Sequence, residues 1–162
     1  MEEKNTFSSS KDLSWSLSKK LLFSILDDQV SDVFVCELIW ERLFYSKERF
    51  SGYWISSDHT PSYWSKKYNN APQKISERAA SIHLTRSIPM IHKQNLKKIL
   101  DFKGYKINEL YPRRTRRATA VNWLIFWGIE SKLTLKDHDK LPILSSPPFN
   151  QIHGHKGDPE VT

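Results

Sequence analysis

The sequence predicts a mainly α fold with a minor β element (α+β), a single compact helical domain with disordered termini. Three observations lead there. Apolar residues recur at helical spacing in several separate stretches between residues 18 and 128. Strand-like alternation is confined to two short places. Both ends lose periodicity: residues 1–13 are polar and Ser-rich, and 129–162 carry Pro142, Pro147, Pro148, Gly154, Gly157 and Pro159. The expected division is a disordered N-terminus (1–13), a globular domain (14–128) and a disordered Pro/Gly-containing tail (129–162). A chain of 162 residues fits one such domain.

The first helix is expected from Ser18 to Asp27, with Leu21, Leu22, Ile25 and Leu26 on one stripe and Ser18 as its cap. The second runs from Ser31, another capping residue, to about Tyr45. Cys36, Ile39, Trp40 and Leu43 form its apolar stripe, Glu37, Glu41 and Arg42 its polar side, and Asp32 meets the favourable end of the helix dipole. Residues 46–73 lack helical periodicity and hold Phe50, Tyr53, Trp54, Tyr63, Trp64 and Tyr68. They predict a long ordered loop with a short strand or hairpin near Tyr53–Ile55, its aromatics serving as anchors to the core or as a surface for a ligand. Ile82 and Leu84 alternate with His83 and Thr85, predicting a short strand. Pro89 opens a helix to Leu100, and Gly104 marks a stop or turn. Pro112 opens the last helix, which is expected to reach Trp127 and end at Gly128.

The chain has 25 Lys plus Arg against 18 Asp plus Glu, a formal charge of +7. The excess is local. Residues 86–117 hold 10 basic and 2 acidic side chains, net +8, whereas residues 1–50 hold 7 and 9, net −2. Such a segment is a candidate site for an anionic partner. Its densest part is Arg113, Arg114, Arg116 and Arg117 at the start of the last helix, where the dipole disfavours cations and unpaired N–H groups favour anions. A helical projection puts Arg116 on the stripe of Ala120, Trp123 and Trp127 with Arg113 near it, and leaves Arg114 freer. Two readings follow. The arginines bind RNA, DNA or another polyanion, with Arg86, Lys103 and Lys106 extending the track and Tyr53, Trp54 or Trp64 stacking bases. Alternatively they pair with acids of the first two helices, such as Asp27, Asp28, Glu37 or Glu41.

Other chemistries find little support. The single Cys, Cys36, excludes an intramolecular disulfide framework and Cys-rich metal sites, and fits a reducing compartment. There is no Gly-rich phosphate loop, GxSxG, HExxH or CxxC. His153, His155 and Asp158 make only a weak chelating pattern, and Asp58–His59 lacks a third member. No metal site, catalytic residue or cofactor is therefore expected. The acidic start lacks the features of a secretory signal, and the longest apolar run, Ala118–Ile129, is too short for the roughly 20 residues of a membrane span. The expectation is a cytoplasmic protein without a membrane partner.

Three stretches, Leu84-Thr85-Arg86-Ser87-Ile88-Pro89, Phe102-Lys103-Gly104-Tyr105-Lys106-Ile107 and Arg116-Arg117-Ala118-Thr119-Ala120-Val121-Asn122-Trp123-Leu124, together with Glu37-Leu38-Ile39-Trp40, carry a resemblance. The pattern resembles an uncharacterised family of small cyanobacterial proteins, the domain of unknown function numbered eighteen twenty-three. The resemblance covers about residues 18–128, excludes the tail and implies a cyanobacterial or plastid-lineage origin. It implies no activity. The residues themselves lead to a non-catalytic binding protein whose segment 86–117 contacts an anionic partner, RNA or DNA first. The main alternative is a protein-interaction or assembly factor using the aromatic loop 50–68. An enzyme of unknown class is a second alternative, without a motif behind it.

Overall fold

The computed structural model describes residues 13–162. The expected disordered N-terminus therefore lies outside the described residues, Leu13 apart. In chain order the elements are α1 (Lys19–Leu26), α2 (Asp32–Arg42), β1 (Ser46–Lys47), β2 (Trp54–Ile55), α3 (Ser62–Ser65), α4 (Arg78–Ser87), α5 (Asn95–Leu100) and α6 (Pro112–Glu130). Short 3₁₀ turns occupy Met90–His92 and Ile107–Glu109. The class is α+β and mainly helical, as the sequence predicts.

Helix α6 is the hub. Helices α1, α2, α4 and α5 all pack on it. Its middle is buried almost all round, through Ala120, Val121, Asn122, Trp123, Leu124 and Ile125. Leu21, Leu22 and Ile25 of α1 and Val35, Leu38 and Ile39 of α2 complete the core. Both expected caps form. Ser18 Oγ accepts from Leu21 N at 3.1 Å, and Ser31 Oγ accepts from Phe34 N at 3.1 Å. Each satisfies an N–H that the first helical turn leaves unpaired.

Of the two expected forms, strand or hairpin, strands β1 and β2 make the hairpin, pairing Ser46 with Ile55 and Lys47 with Trp54. Gly52 closes its turn at φ +76°, a conformation that costs glycine little. Three expectations need correction. Residues 82–85 are not a strand but the middle of α4, because Ala80, Ser81 and Leu84 form a helical buried stripe against α6. The stretch after Pro89 is a 3₁₀ turn and a separate six-residue helix, not one helix. Helix α6 runs through Gly128, whose missing side chain faces Leu17 Cδ1, and ends at Glu130.

Residues 133–162 carry no helix or strand, as the loss of periodicity predicts, but they lie along the domain. Lys19 N donates to Lys136 O, Ser145 N to Gln29 O and Thr162 N to Ser76 O. The Asp158 carboxylate accepts from Asp32 N (2.9 Å) and Val33 N (3.1 Å), supplementing Ser31 at the start of α2. Gly154 permits this closeness, since a Cβ there would stand 2.8 Å from Asp32 Oδ2 and 2.6 Å from Asp158 Oδ2.

Candidate functional site

The arginines that open α6 point inward. Arg113 and Arg117 are fully buried and Arg114 is 6 % exposed. Arg113 donates from Nε to both Asp32 oxygens (3.0 and 2.8 Å), from Nη1 to Asp28 Oδ2 (2.7 Å) and from Nη2 to Asp28 Oδ1. Arg117 donates from Nη1 to Asp32 Oδ1 (2.7 Å), from Nε to Ile25 O (3.0 Å) and from Nη2 to Val30 O (2.7 Å). Arg114 donates to Leu26 O at 2.8 Å and to Gln151 Oε1, with its guanidinium 4.4 Å from the Tyr105 ring centroid. Apart from Gln151 of the tail, these acceptors belong to the end of α1, the turn that follows and the first residue of α2. The arginines thus satisfy carbonyls that the end of a helix leaves open, while two aspartates neutralise two of the charges. Asp28 sits in that turn at φ +60°. His155 Nε2 of the tail lies 3.1 Å from Asp28 Oδ1. Burial raises the Asp28 pKa, but the Arg113 hydrogen bonds and the nearby Arg117 charge prevail and hold it below the usual carboxylate range. Burial likewise opposes the Arg113 charge, and its bonds to Asp28 and Asp32 more than offset this.

This corrects the expected anion site. Arg113, Arg114 and Arg117 are occupied within the molecule, and the freer residue is Arg116, not Arg114. Even Arg116 donates to Ile75 O, Ser76 O and Thr162 O. The internal pairing foreseen as the alternative forms through Asp28, and through Asp32, which sequence reasoning had treated only as a dipole partner. Arg86, Lys103 and Lys106 remain exposed, as do Lys97 and Lys98.

The aromatic loop divides. Trp64 is buried and Trp54 partly buried, its ring 5.6 Å from that of Trp40. Tyr63 stacks on His83 at 4.0 Å, and His83 meets the Trp64 ring edge-on at 4.5 Å. These rings fasten the loop to α4. Of the expected stacking residues only Tyr53, 63 % exposed, is free, beside Phe50 at the hairpin turn. Beneath the loop, Lys74 is fully buried. Its Nζ lies 4.0 Å from the Trp64 ring centroid and has no hydrogen-bond partner among the described residues. Burial pushes its pKa down to about 7.

A third feature escaped the sequence reading. A cavity of about 440 Å³ lies between the C-terminal half of α6, the approach to α1 and residues 133–139. Leu17, Ile99, Leu124, Ile129 and Leu135 line it, and Arg42 borders it. Arg42 is 3 % exposed, so it does not lie on the polar side of α2 assigned to it. It donates to Leu38 O (3.0 Å) and Trp15 O (2.7 Å), and its guanidinium lies 4.8 Å from the Trp127 ring centroid. Its Nε has no partner, and no carboxylate pairs with it among the described residues.

Comparison with known proteins adds the family. The profile of a domain of unknown function, DUF1823, matches residues 16–129. The chain belongs to that family. A protein known by a solution NMR structure is 39 % identical to it, with a TM-score of 0.63, over 74 % of this chain and 98 % of the other. A search of curated proteins found no match. The matched range agrees with the resemblance expected at about 18–128. It includes the Asp28, Asp32, Arg113 and Arg117 cluster and leaves out the tail residues that cover it.

Proposed function

We propose that this DUF1823 domain is a non-catalytic binding protein whose outward cations contact a polyanion, RNA or DNA first. The site moves from the start of α6 to residues 86–106. One observation carries the reading. Arg86, Lys97, Lys98, Lys103 and Lys106 are exposed and form no ion pair among the described residues, while Asp101 is the one exposed acid in that stretch. Buried arginines bonded to aspartates add little to the outer field, so unpaired surface lysines dominate what a polyanion meets. The exposed side chains of Met90, Ile91 and Ile107 lie in and beside the same stretch and supply apolar contact. A single free, buried Cys36 is compatible with a cytoplasmic setting.

Phe50, 96 % exposed, and Tyr53 favour a second reading, in which the hairpin turn anchors a protein partner. Affinity capture from a native lysate, with and without nuclease, separates the two. Loss of bound material after nuclease treatment supports the nucleic-acid reading. Retention of a protein partner that a Phe50→Ala/Tyr53→Ala variant fails to capture supports the second.

A further inference from the structure

We propose that the cavity beside Arg42 binds an aliphatic carboxylate, its chain among the leucines and isoleucines and its head toward the guanidinium. The volume of about 440 Å³ falls within the range of small-ligand sites, and the lining is mostly apolar. The exposed apolar side chains of this lining favour a hydrocarbon chain over water.

The charge of the lining selects the head group. Arg42 and Lys136 stand against Asp139, two cations and one carboxylate. Lys136 Nζ lies 3.7 Å from Asp139 Oδ2, so that pair is internally matched and Arg42 is the remaining charge. The neighbouring Glu41 does not pair with Arg42; its Oε2 accepts from Ser14 Oγ at 2.7 Å. A cation withdrawn from water and held, among the described residues, by carbonyls and a tryptophan face gains from a carboxylate, the partner that guanidinium geometry fits best. A neutral head group gains less, and an ammonium head is repelled. Residues 133–139 form one wall and lie beyond the family match, so this chain supplies part of its own selectivity.

Decanoate, decanol and decylamine are the probes, used below their aggregation limits with the full chain in isothermal titration calorimetry. Decanoate should bind at one site per chain and at least tenfold more tightly than decanol, with decylamine weakest. Arg42→Gln should abolish the preference for decanoate over decanol, and Arg42→Lys should retain most of it. A Gly128→Leu variant, which projects a side chain into the cavity, should lose all three ligands. Methyl NMR should locate decanoate by shifts at Leu124, Ile129 and Leu135. The same decanoate-to-decanol ratio in wild type and a folded Arg42→Gln protein would overturn the head-group assignment. Absence of decanoate binding, or shifts confined to surface residues, would overturn the site itself. If Arg42→Gln fails to fold, the wild-type affinity order and methyl shifts decide alone.

Discussion

Lys74 is a buried amine without an acceptor among the described residues, and its pKa of about 7 ties stability to pH. Its ordinary value is 10.5. Between those values the unfolded chain holds the proton and the folded chain releases it, so this group makes stability rise with pH across that window. Its contribution is flat below about 7 and above 10.5. Lys74→Met should be more stable than wild type near pH 7. The difference should shrink by roughly 1 kcal/mol per pH unit as the pH rises through the window, as measured by urea unfolding at a series of pH values. A constant difference between the two proteins would refute a neutral Lys74. The paired arginines behave differently. Asp32→Asn leaves Arg113 and Arg117 with one carboxylate between them in a dry site, and should cost about 3–5 kcal/mol, read in the same unfolding experiment.

Elements were legible where one face decides them. Helices α1 and α2 followed from their apolar stripes and serine caps, and the hairpin from the break in periodicity. Helix α6 begins at Pro112 as expected, but the facing of its arginines was misjudged because its centre is buried on nearly every side, and a stripe of Ala120, Trp123 and Trp127 could not show which face holds the charges. A better signal lay in the spacing of the arginines. Arg113 and Arg117 are four residues apart and so share one face of α6, where both reach Asp28 in the turn and Asp32 at the start of α2. Arg42 had a comparable signal, since Val35, Leu38, Ile39 and Arg42 form an i, i+3, i+4, i+7 set that places it inside. Lys74 and the tail contacts had none, because isolated loop residues carry no period. The tail's cap on α2 can be tested directly. Asp158→Ala should destabilise the protein by about 1 kcal/mol and speed hydrogen exchange at the Asp32 and Val33 amides. Unchanged exchange there would show that the tail does not hold that helix start in solution.

At the scale of the whole molecule, the charge of +7 separates into two populations. One is internal, where aspartates of the acidic first fifty residues meet the arginines of α6 and join the two ends of the fold. Another is outward, and its run along residues 86–106 is the part proposed to meet a polyanion. No helix among the described residues is long and apolar enough to cross a membrane. The tail lies over the internal cluster, while Arg86 and the lysines stay uncovered. The central claim is therefore that binding strength resides in surface lysines, not in the helix start that is richest in arginine. Fluorescence anisotropy with single-stranded RNA and duplex DNA at several salt concentrations tests it, comparing wild type with a variant carrying Lys97→Glu, Lys98→Glu, Lys103→Glu and Lys106→Glu. Wild type should bind at low salt and weaken steeply as salt rises, with a slope of about −0.9 per phosphate contact on duplex DNA. The variant should keep its circular dichroism spectrum and lose at least tenfold in affinity. No binding by wild type at low salt, or equal binding by the folded variant, would contradict the claim.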